Sequence, residues 1–287
     1  MSEIYEVVQR PELHEPVLIV TLEGWVDAGL GAAAALAALL GTVPSEVVAN
    51  FDVDNLLDHR ARRPIVRIVD GMNSALMWPE IQLRSGRSES GKDLLFLVGP
   101  EPDHRWRAFS TAVAELAGSF GVALVVGLGA FPAPAPHTRP TRLVSTATST
   151  ELAHRVGFIP GTIDVPAGAQ AALERRFAEL GIPAVGLWAR VPHYAAAMPY
   201  PEASVVLLEG LEHLTGVGAD ASDLRNAAQS TRVRLDELVA NSEEHSTLVH
   251  QLEAAVDAET ERPLGTLLPS GDELAAELER FLRGENQ

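Results

Sequence analysis

Five consecutive apolar residues, Val122 to Val126 (VALVV), restrict the fold of this chain more than any other feature of its sequence. An apolar run rich in β-branched residues is typical of a strand that is buried on both faces. Such a strand needs helices on both sides of its sheet, so the run predicts a parallel or mixed sheet. We expect Gly127 and Gly129 to end the strand, because glycine allows a sharp turn or the close approach of a ligand.

Similar apolar runs alternate with helical patterns along most of the chain. Further strands are predicted at 17–22, 46–51, 65–69, 77–83, 93–98, 143–147 and 182–191. Helices are predicted at 32–40, 103–120, 168–180 and 202–214, and a capping box at 148–151 predicts one more. Asp103 is expected to cap the helix that follows it. This alternation predicts an α/β fold, a layered core whose largely parallel or mixed sheet is flanked by helices.

The character of the sequence changes at about residue 216. Residues 219–258 lack strand signals, and their leucines recur at helical spacing. A second capping box, formed by Ser270 and Glu273, predicts a further helix near the end. We therefore expect residues 1–215 to form an α/β core domain and residues 216–287 a helical appendage, which acts as a cap or as an oligomerisation arm.

The composition excludes several classes of site and partner. The chain has 287 residues, a formal net charge of −17 and no cysteine. Because no basic cluster offsets the negative charge, neither nucleic acids nor anionic membranes are expected as partners. The lack of cysteine excludes disulfides, thiolate nucleophiles and cysteine-ligated zinc. No signal peptide is recognised and the longest apolar run, 32–40, is too short to span a bilayer, so a cytoplasmic protein is expected.

The segment from Gly29 to Ala34 fits the pattern G-x-G-x-x-A of dinucleotide-binding proteins, with Asp52 at about the expected distance. Six residues separate its first glycine from the preceding strand. We therefore interpret the match as a product of an alanine-rich helix, and no cofactor is predicted. Asp27, just before it, has two interpretations. Its carboxylate stabilises the start of the helix, or it accepts a hydrogen bond from a ligand in a cleft.

A proline-rich loop follows the central strand and contains His137, Thr138 and Arg139. The arginine is a fork-shaped donor suited to phosphate or carboxylate, and the predicted helix start near Ser149 favours an anion as well. The alternative is that Arg139 pairs with a local carboxylate while His137 packs against prolines. Both interpretations remain open at the level of sequence.

The loops at 24–29, 99–102 and 127–139 are expected to converge into one site. All three follow predicted buried strands, and the carboxyl ends of parallel strands share one edge of a sheet. Glu101 is also interpreted as one half of a surface pair with Arg105 at the start of a helix. The candidate ligand-binding residues are Gly24, Asp27, Gly99, Glu101, Gly127, Gly129, His137, Thr138 and Arg139.

No catalytic residue or metal site is predicted. The sequence contains no G-x-S-x-G, H-E-x-x-H or G-x-x-x-x-G-K motif, and its nine histidines lack metal-ligand spacing. Whether the protein is an enzyme is left open.

Three stretches resemble the proteasome assembly chaperone 2 family in its bacterial, actinobacterial-type branch. They are GWVDAG (24–29), LFLVGPEPDHRWRAF (95–109) and GLGAFPAPAPHTRP (127–140) with the following VSTATS. The later segment VPHYAAAMPYPEAS (191–204) is similar to actinobacterial members. The resemblance covers roughly residues 1–215. It implies an α/β core like that of nucleoside phosphorylases and hydrolases, and assembly into oligomers, with a trimer as the expected state.

These observations are consistent with two functions. The first is a non-catalytic binding or assembly protein, chaperone-like, that acts as a homo-oligomer and contacts other proteins. The alternative is a hydrolase or phosphorylase acting on a small nucleoside-like or anionic ligand, which the polar loops and the implied fold favour.

Overall fold

Ten strands, eight α-helices and two short 3₁₀ helices (Ala28–Leu30 and His193–Ala195) make up the part of the chain that the computed structural model describes, residues 4–24 and 26–261. The strands are β1 (Tyr5–Val7), β2 (Val17–Glu23), β3 (Ser45–Phe51), β4 (Ile65–Val69), β5 (Met72–Met77), β6 (Gln82–Arg87), β7 (Asp93–Pro100), β8 (Leu124–Ala133), β9 (Leu143–Ala147) and β10 (Ala184–Pro192). The helices are α1 (Gly31–Thr42), α2 (Val53–Leu56), α3 (Trp106–Ser119), α4 (Thr150–Val156), α5 (Ala169–Leu180), α6 (Pro201–Thr215), α7 (Ser222–Ala240) and α8 (Glu243–Glu261).

Eight of the strands form one mixed sheet in the order β1-β3-β6-β7-β2-β8-β10-β9. The four central strands, β7, β2, β8 and β10, run parallel to one another. The strands on either side pair antiparallel, with β6 and β3 beyond β7 and β9 beyond β10. Strands β4 and β5 form a separate two-stranded hairpin. The predicted α/β fold with a mixed sheet and C-terminal helices is confirmed.

Successive residues of β2 point to opposite faces of the sheet and belong to two apolar clusters. Ile19 joins the cluster beneath α1 and α6, which contains Leu39 and Leu207. Leu18 joins the cluster beneath α3 and α5, which contains Phe109. Each of these side chains is nearly inaccessible to solvent, and burial of one such side chain contributes about 1.5–3 kcal/mol to folding. The sheet is therefore covered on both faces, as the apolar runs predict.

Strand β8 continues through Gly127 and Gly129 to Ala133, so the prediction that these glycines end it is wrong. Both keep their register with β10, where Gly127 lies opposite Gly186 and Gly129 opposite Trp188. The space that a side chain at either position needs is filled by the Gln170 amide over Gly127 and by the Trp188 ring over Gly129. Here glycine permits close packing between elements, a role that the local sequence does not reveal.

Two other boundaries differ from the sequence prediction. The expected strand at 77–83 is divided, because β5 ends at Met77 and β6 begins only at Gln82. Pro79 lies in the gap and has no N–H to donate to a ladder. Asp103 does not cap α3, which begins at Trp106. Its carboxylate instead accepts a hydrogen bond from the Asp58 backbone N–H at 2.8 Å.

The C-terminal part of the described chain is helical, as predicted, since 219–258 contains α7 and α8 and no strand. Ala221, just before α7, and Leu235 within it are buried in the cluster that includes α6. The predicted capping box at Ser270 and Glu273 lies outside the described residues. The division of the chain at residue 215 stays a prediction. No helix in the described ranges is long and apolar enough to cross a membrane.

Candidate functional site

The parallel strands β2, β7, β8 and β10 all end at the same edge of the sheet, and the loops that leave them carry most of the predicted site residues. In open α/β sheets this edge is where ligands bind. The loops pack closely there. The Tyr200 backbone N–H donates to the carbonyl of Gly29 at 2.8 Å, and the Gly29 N–H donates to the carbonyl of Ala196 at 2.8 Å.

Asp27 stabilises the start of α1. Its two carboxylate oxygens accept hydrogen bonds from the backbone N–H groups of Ala32 at 2.8 Å and Ala33 at 3.0 Å. These donors have no partner within the helix, and an acidic side chain also interacts favourably with the helix dipole. Burial raises the pKa of Asp27, while the backbone hydrogen bonds act in the opposite direction. Asp27 therefore makes the contacts expected of a residue that stabilises the start of a helix. A role for Asp27 in binding a ligand stays a prediction.

Glu101 lies at the start of α5 and contacts the loop after β2. Its carboxylate accepts a hydrogen bond from the Ala169 N–H at 2.5 Å and packs against Gly24, and its own N–H donates to the carbonyl of Glu23 at 2.7 Å. Only 8% of Glu101 is exposed, so its interpretation as a surface residue is wrong. The reason is that α5, from a distant part of the sequence, covers it. The structure thereby brings Gly24 and Glu101 together, with Gly99 at the end of β7.

His137 is held between the core and α7, with only 1% of its side chain exposed. Its Nε2 lies 3.1 Å from Asp236 Oδ1 and its Nδ1 lies 2.7 Å from the Tyr194 hydroxyl. Because a carboxylate only accepts, Nε2 carries the proton in the neutral ring and Nδ1 accepts from Tyr194. Burial lowers the pKa of His137, which the Asp236 carboxylate partly offsets, and burial raises the pKa of Tyr194 to about 12.

Thr138 and Arg139 contact α8. The Thr138 hydroxyl donates to Glu253 at 2.5 Å. The Arg139 guanidinium donates two hydrogen bonds to Asp257, at 2.7 and 2.8 Å, and a third to Glu253 at 3.0 Å. This pairing raises the pKa of Arg139 and lowers that of Asp257. The loop at 137–139 therefore holds both C-terminal helices against the core. His137 contacts α7, and Thr138 and Arg139 contact α8.

A cleft of about 390 Å³ lies between this loop, the start of α6 and one face of α7. It is lined by His137, Arg139, Pro140, Tyr200, Glu202, Arg225, Ala228, Gln229, Thr231 and Arg232. Of the nine predicted site residues, only His137 and Arg139 are among them. Gly24 and Glu101 are in contact at the neighbouring loops, Gly99 lies at the end of β7 against Glu80 and Ile81, and Gly127 and Gly129 lie inside β8. The role of all nine in ligand binding stays a prediction.

Sequence reasoning missed the residues that α7 contributes to this cleft. Arg225, Ala228, Gln229 and Arg232 recur at intervals of three, four and seven, the spacing of one helix face. This spacing indicates that the four residues share one face of a helix. No local pattern indicates that this face lies toward the loop at 137–140. Across residues 4–24 and 26–261, no group of three or more acidic or histidine side chains is arranged to hold a metal ion.

The amino-acid sequence matches a known protein family over most of the described residues. The model of the PAC2 family matches residues 21–239, from β2 to the end of α7. The chain belongs to the PAC2 family. The resemblance seen in the sequence is confirmed, and the family match of this PAC2 protein extends beyond the predicted core into α7. A comparison with curated proteins gave no significant match.

Solved structures of actinobacterial proteins are similar to this PAC2 protein over most of its length. A protein of unknown function from Corynebacterium glutamicum is 32% identical, with a TM-score of 0.84 over 91% of this chain and 100% of its own. The protein Rv2714 from Mycobacterium tuberculosis is 35% identical, with a TM-score of 0.81 over 91% and 93%. The proteasome-assembly chaperone homologue Rv2125 from the same organism is 32% identical, with a TM-score of 0.75 over 81% and 99%.

Proposed function

We propose that this PAC2 protein is a non-catalytic, chaperone-like assembly protein that acts as a homo-oligomer, with a trimer as the expected state. The observation that carries the proposal is the hairpin of β4 and β5. Every residue of both strands is exposed to solvent. A two-stranded hairpin is at best marginally stable in water by itself, so a hairpin of this composition is expected to be covered by a partner.

The hairpin presents large apolar side chains on both of its faces. Ile65 is 67% exposed, Ile68 64% and Met72 71%. The other large apolar side chains exposed on it or directly after it are Val66, Val69, Leu76, Met77 and Trp78. Contiguous exposed apolar surface of this kind marks a site of protein–protein contact.

Charge favours a second copy of the chain as the occupant. Residues 60–77 carry four arginines and one aspartate, whereas the whole chain has a net charge of −17. The hairpin itself, residues 65–77, is apolar and carries only Arg67 and Asp70, whereas Arg60, Arg62 and Arg63 lie in the segment that leads into it, where Arg62 pairs with Asp103. An acidic surface of another copy is complementary to the arginines of that segment, and an apolar surface to the hairpin. A contact between two different surfaces of identical subunits closes into a ring when the rotation between them allows it, which agrees with the expected trimer.

The assembly role is supported by relatedness. Rv2125, at 32% identity, is described as a proteasome-assembly chaperone homologue, and we extend a role of this class to the present chain. Other proteins are then its expected partners in addition to its own copies. Neither the family nor these relatives support the alternative of a hydrolase or phosphorylase.

Light scattering coupled to size-exclusion chromatography tests the proposal. At micromolar concentration we expect the wild-type protein to elute with three times the mass of one chain. The double variant Ile68→Glu/Met72→Glu places two charges on the hairpin and is expected to elute as a monomer, because burying an unpaired carboxylate in an apolar contact is costly.

Leu180→Glu is the matched control, because Leu180 is an apolar residue that is 48% exposed at the end of α5, outside the hairpin. We expect it to keep the oligomer. A monomeric wild-type protein, or a double variant that stays oligomeric while its circular dichroism is unchanged, would contradict the proposal.

A further inference from the structure

The cleft between the loop at 137–140 and α7 has the size and lining of a site for a small molecule. Its volume of about 390 Å³ falls within the range of known ligand pockets, about 300–1,000 Å³. Tyr200, 4% exposed, and His137, 3% exposed, form its buried part, and Ala228 contributes an apolar wall. The cleft lies beyond the carboxyl ends of β8 and β10, the edge at which α/β sheets bind ligands.

The charge of the lining is opposite in sign to that of the protein. Three arginines line the cleft against one carboxylate, Glu202, although the chain as a whole is strongly acidic. Glu202 lies in the first turn of α6, where the helix dipole already favours its negative charge. Carboxylates outside the lining pair with Arg139 and Arg225, so Arg232 is the lining arginine that has no ion pair among the described residues. A guanidinium group matches phosphate and carboxylate in geometry.

The three arginines are not equally available to a ligand. Arg139 is committed to α8 by three hydrogen bonds from its guanidinium. Arg225 donates to Glu209 at 3.1 Å, but both side chains are more than half exposed, and exposed pairs of this kind are weak. Arg232 makes one side-chain hydrogen bond among the described residues, of 3.3 Å to the Thr138 carbonyl, out of the five donors of its guanidinium.

Arg225 and Arg232 are separated by seven residues on the same face of α7, about 10 Å along the helix axis. Between them lie Ala228, which is buried, and Gln229, which adds a polar side chain. A single anionic group contacts one of these arginines, whereas a ligand with two anionic groups joined by a short body contacts both.

We infer that this cleft binds a small molecule with two phosphate or carboxylate groups, one held by Arg232 beside Tyr200 and the other by Arg225. Arg225 exchanges its exposed contact with Glu209 for the ligand. Arg139 keeps its contacts with α8 and positions the loop that forms one wall. None of the residues that line this cleft belongs to the hairpin.

Isothermal titration calorimetry with inorganic phosphate and inorganic pyrophosphate, at constant ionic strength, tests the inference. We expect the wild-type protein to bind pyrophosphate more tightly than phosphate, because only pyrophosphate offers two anionic groups. Arg232→Gln is expected to weaken the binding of both ions by about tenfold. Arg225→Gln is expected to remove the preference for pyrophosphate while leaving phosphate binding nearly unchanged.

Arg234→Gln is the matched control, since it removes the same charge from the same exposed helix at a residue that does not line the cleft. It is expected to bind both ions like the wild type. Absence of binding by the wild-type protein overturns the inference, as does equal affinity of the Arg232→Gln and Arg234→Gln variants. Retention of the full pyrophosphate preference by Arg225→Gln overturns the assignment of the second contact. Thermal unfolding of each variant verifies that it is folded.

Discussion

His137 shows how one side chain couples two parts of the molecule. Its ring contacts Tyr194 in the core and Asp236 on α7, and its backbone N–H also donates to the Tyr194 hydroxyl at 2.9 Å. Arg232 on α7 and Glu253 on α8 are the other charged groups that act on the ring. Because burial lowers the pKa of His137, the neutral ring is the form that the folded state favours.

This preference predicts a loss of stability in acid. Below the ordinary pKa of 6.5 the unfolded chain binds a proton at this residue while the folded protein resists it, so stability falls as the pH decreases through this range. We expect the melting temperature of the wild type to decrease between about pH 8 and about pH 5.5 more steeply than that of His137→Gln, in which no group titrates at this position.

The pH profile of His104→Gln serves as the reference for this measurement, because His104 is exposed. This variant makes the same histidine-to-glutamine change at a residue outside the contact with α7, so the slopes of the two variants are compared directly with each other and with the wild type. Parallel profiles for the wild type and His137→Gln would show that His137 does not resist protonation.

Strand β7 depends on a glycine at the point where it leaves the sheet. Gly99 has a φ of +120°, a conformation that other residues rarely adopt, and a side chain there would collide with the Glu80 carbonyl and lie 2.9 Å from the Ile81 Cα. Both obstacles are backbone atoms, which cannot rotate away as a side chain does. The close approach of residues 80–81 also places the loop that carries Glu101.

Gly99→Ala is therefore expected to lower the free energy of unfolding by about 1–3 kcal/mol, measured by urea denaturation. Gly118→Ala is the matched control. Gly118 lies on the exposed side of α3 with no atom near the position of an added Cβ, so the same change there is expected to raise stability by about 0.5–1 kcal/mol. A Gly99→Ala variant as stable as the wild type would rule out the proposed collision.

At the scale of the whole molecule, the C-terminal helices attach to the core less extensively than α6 does. Helix α6 buries eight residues, whereas α7 buries only Ala228 and Leu235. Helix α8 buries Val249, Leu252 and Val256, and its contacts with the loop at 137–139 are polar. A region with fewer buried apolar contacts opens at a lower free energy.

Hydrogen exchange is expected to reflect this difference. Amides of α7 and α8 are predicted to exchange faster than those of α6, and Arg139→Gln is predicted to accelerate exchange in α8 specifically, because it removes the contacts with Glu253 and Asp257. Arg175→Gln, which removes an exposed pair with Glu179 on α5, is the control and leaves α8 unchanged. Equal protection of α6 and α7 would contradict the division of the chain at residue 215.

The sequence by itself determined the α/β core of this protein and the position of most of its elements. The run in β2 is a buried strand as predicted, because burial on both faces is a property of a few consecutive residues. Of the run Val122–Val126, the structure places residues 124–126 in β8 and buries Val125 and Val126, while Val122 and the exposed Ala123 precede the strand. The helix predicted from the capping box at 148–151 is present as α4, but its N-cap is Ser149, whose hydroxyl accepts from the Leu152 N–H, while the Thr148 hydroxyl bonds to the backbone of Ala184. Such patterns act over a few residues, so they can be recognised without knowledge of the fold.

Only the tertiary structure decided how the loops are used. Gly127 and Gly129 lie within a strand, and glycine is needed there because side chains from α5 and β10 fill the space beside them. Arg139 pairs with carboxylates more than a hundred positions later in the chain, and Arg232 lines the same cleft from α7. Contacts between residues so far apart depend on the order of the strands and on where the helices pack, and no local pattern carries that information.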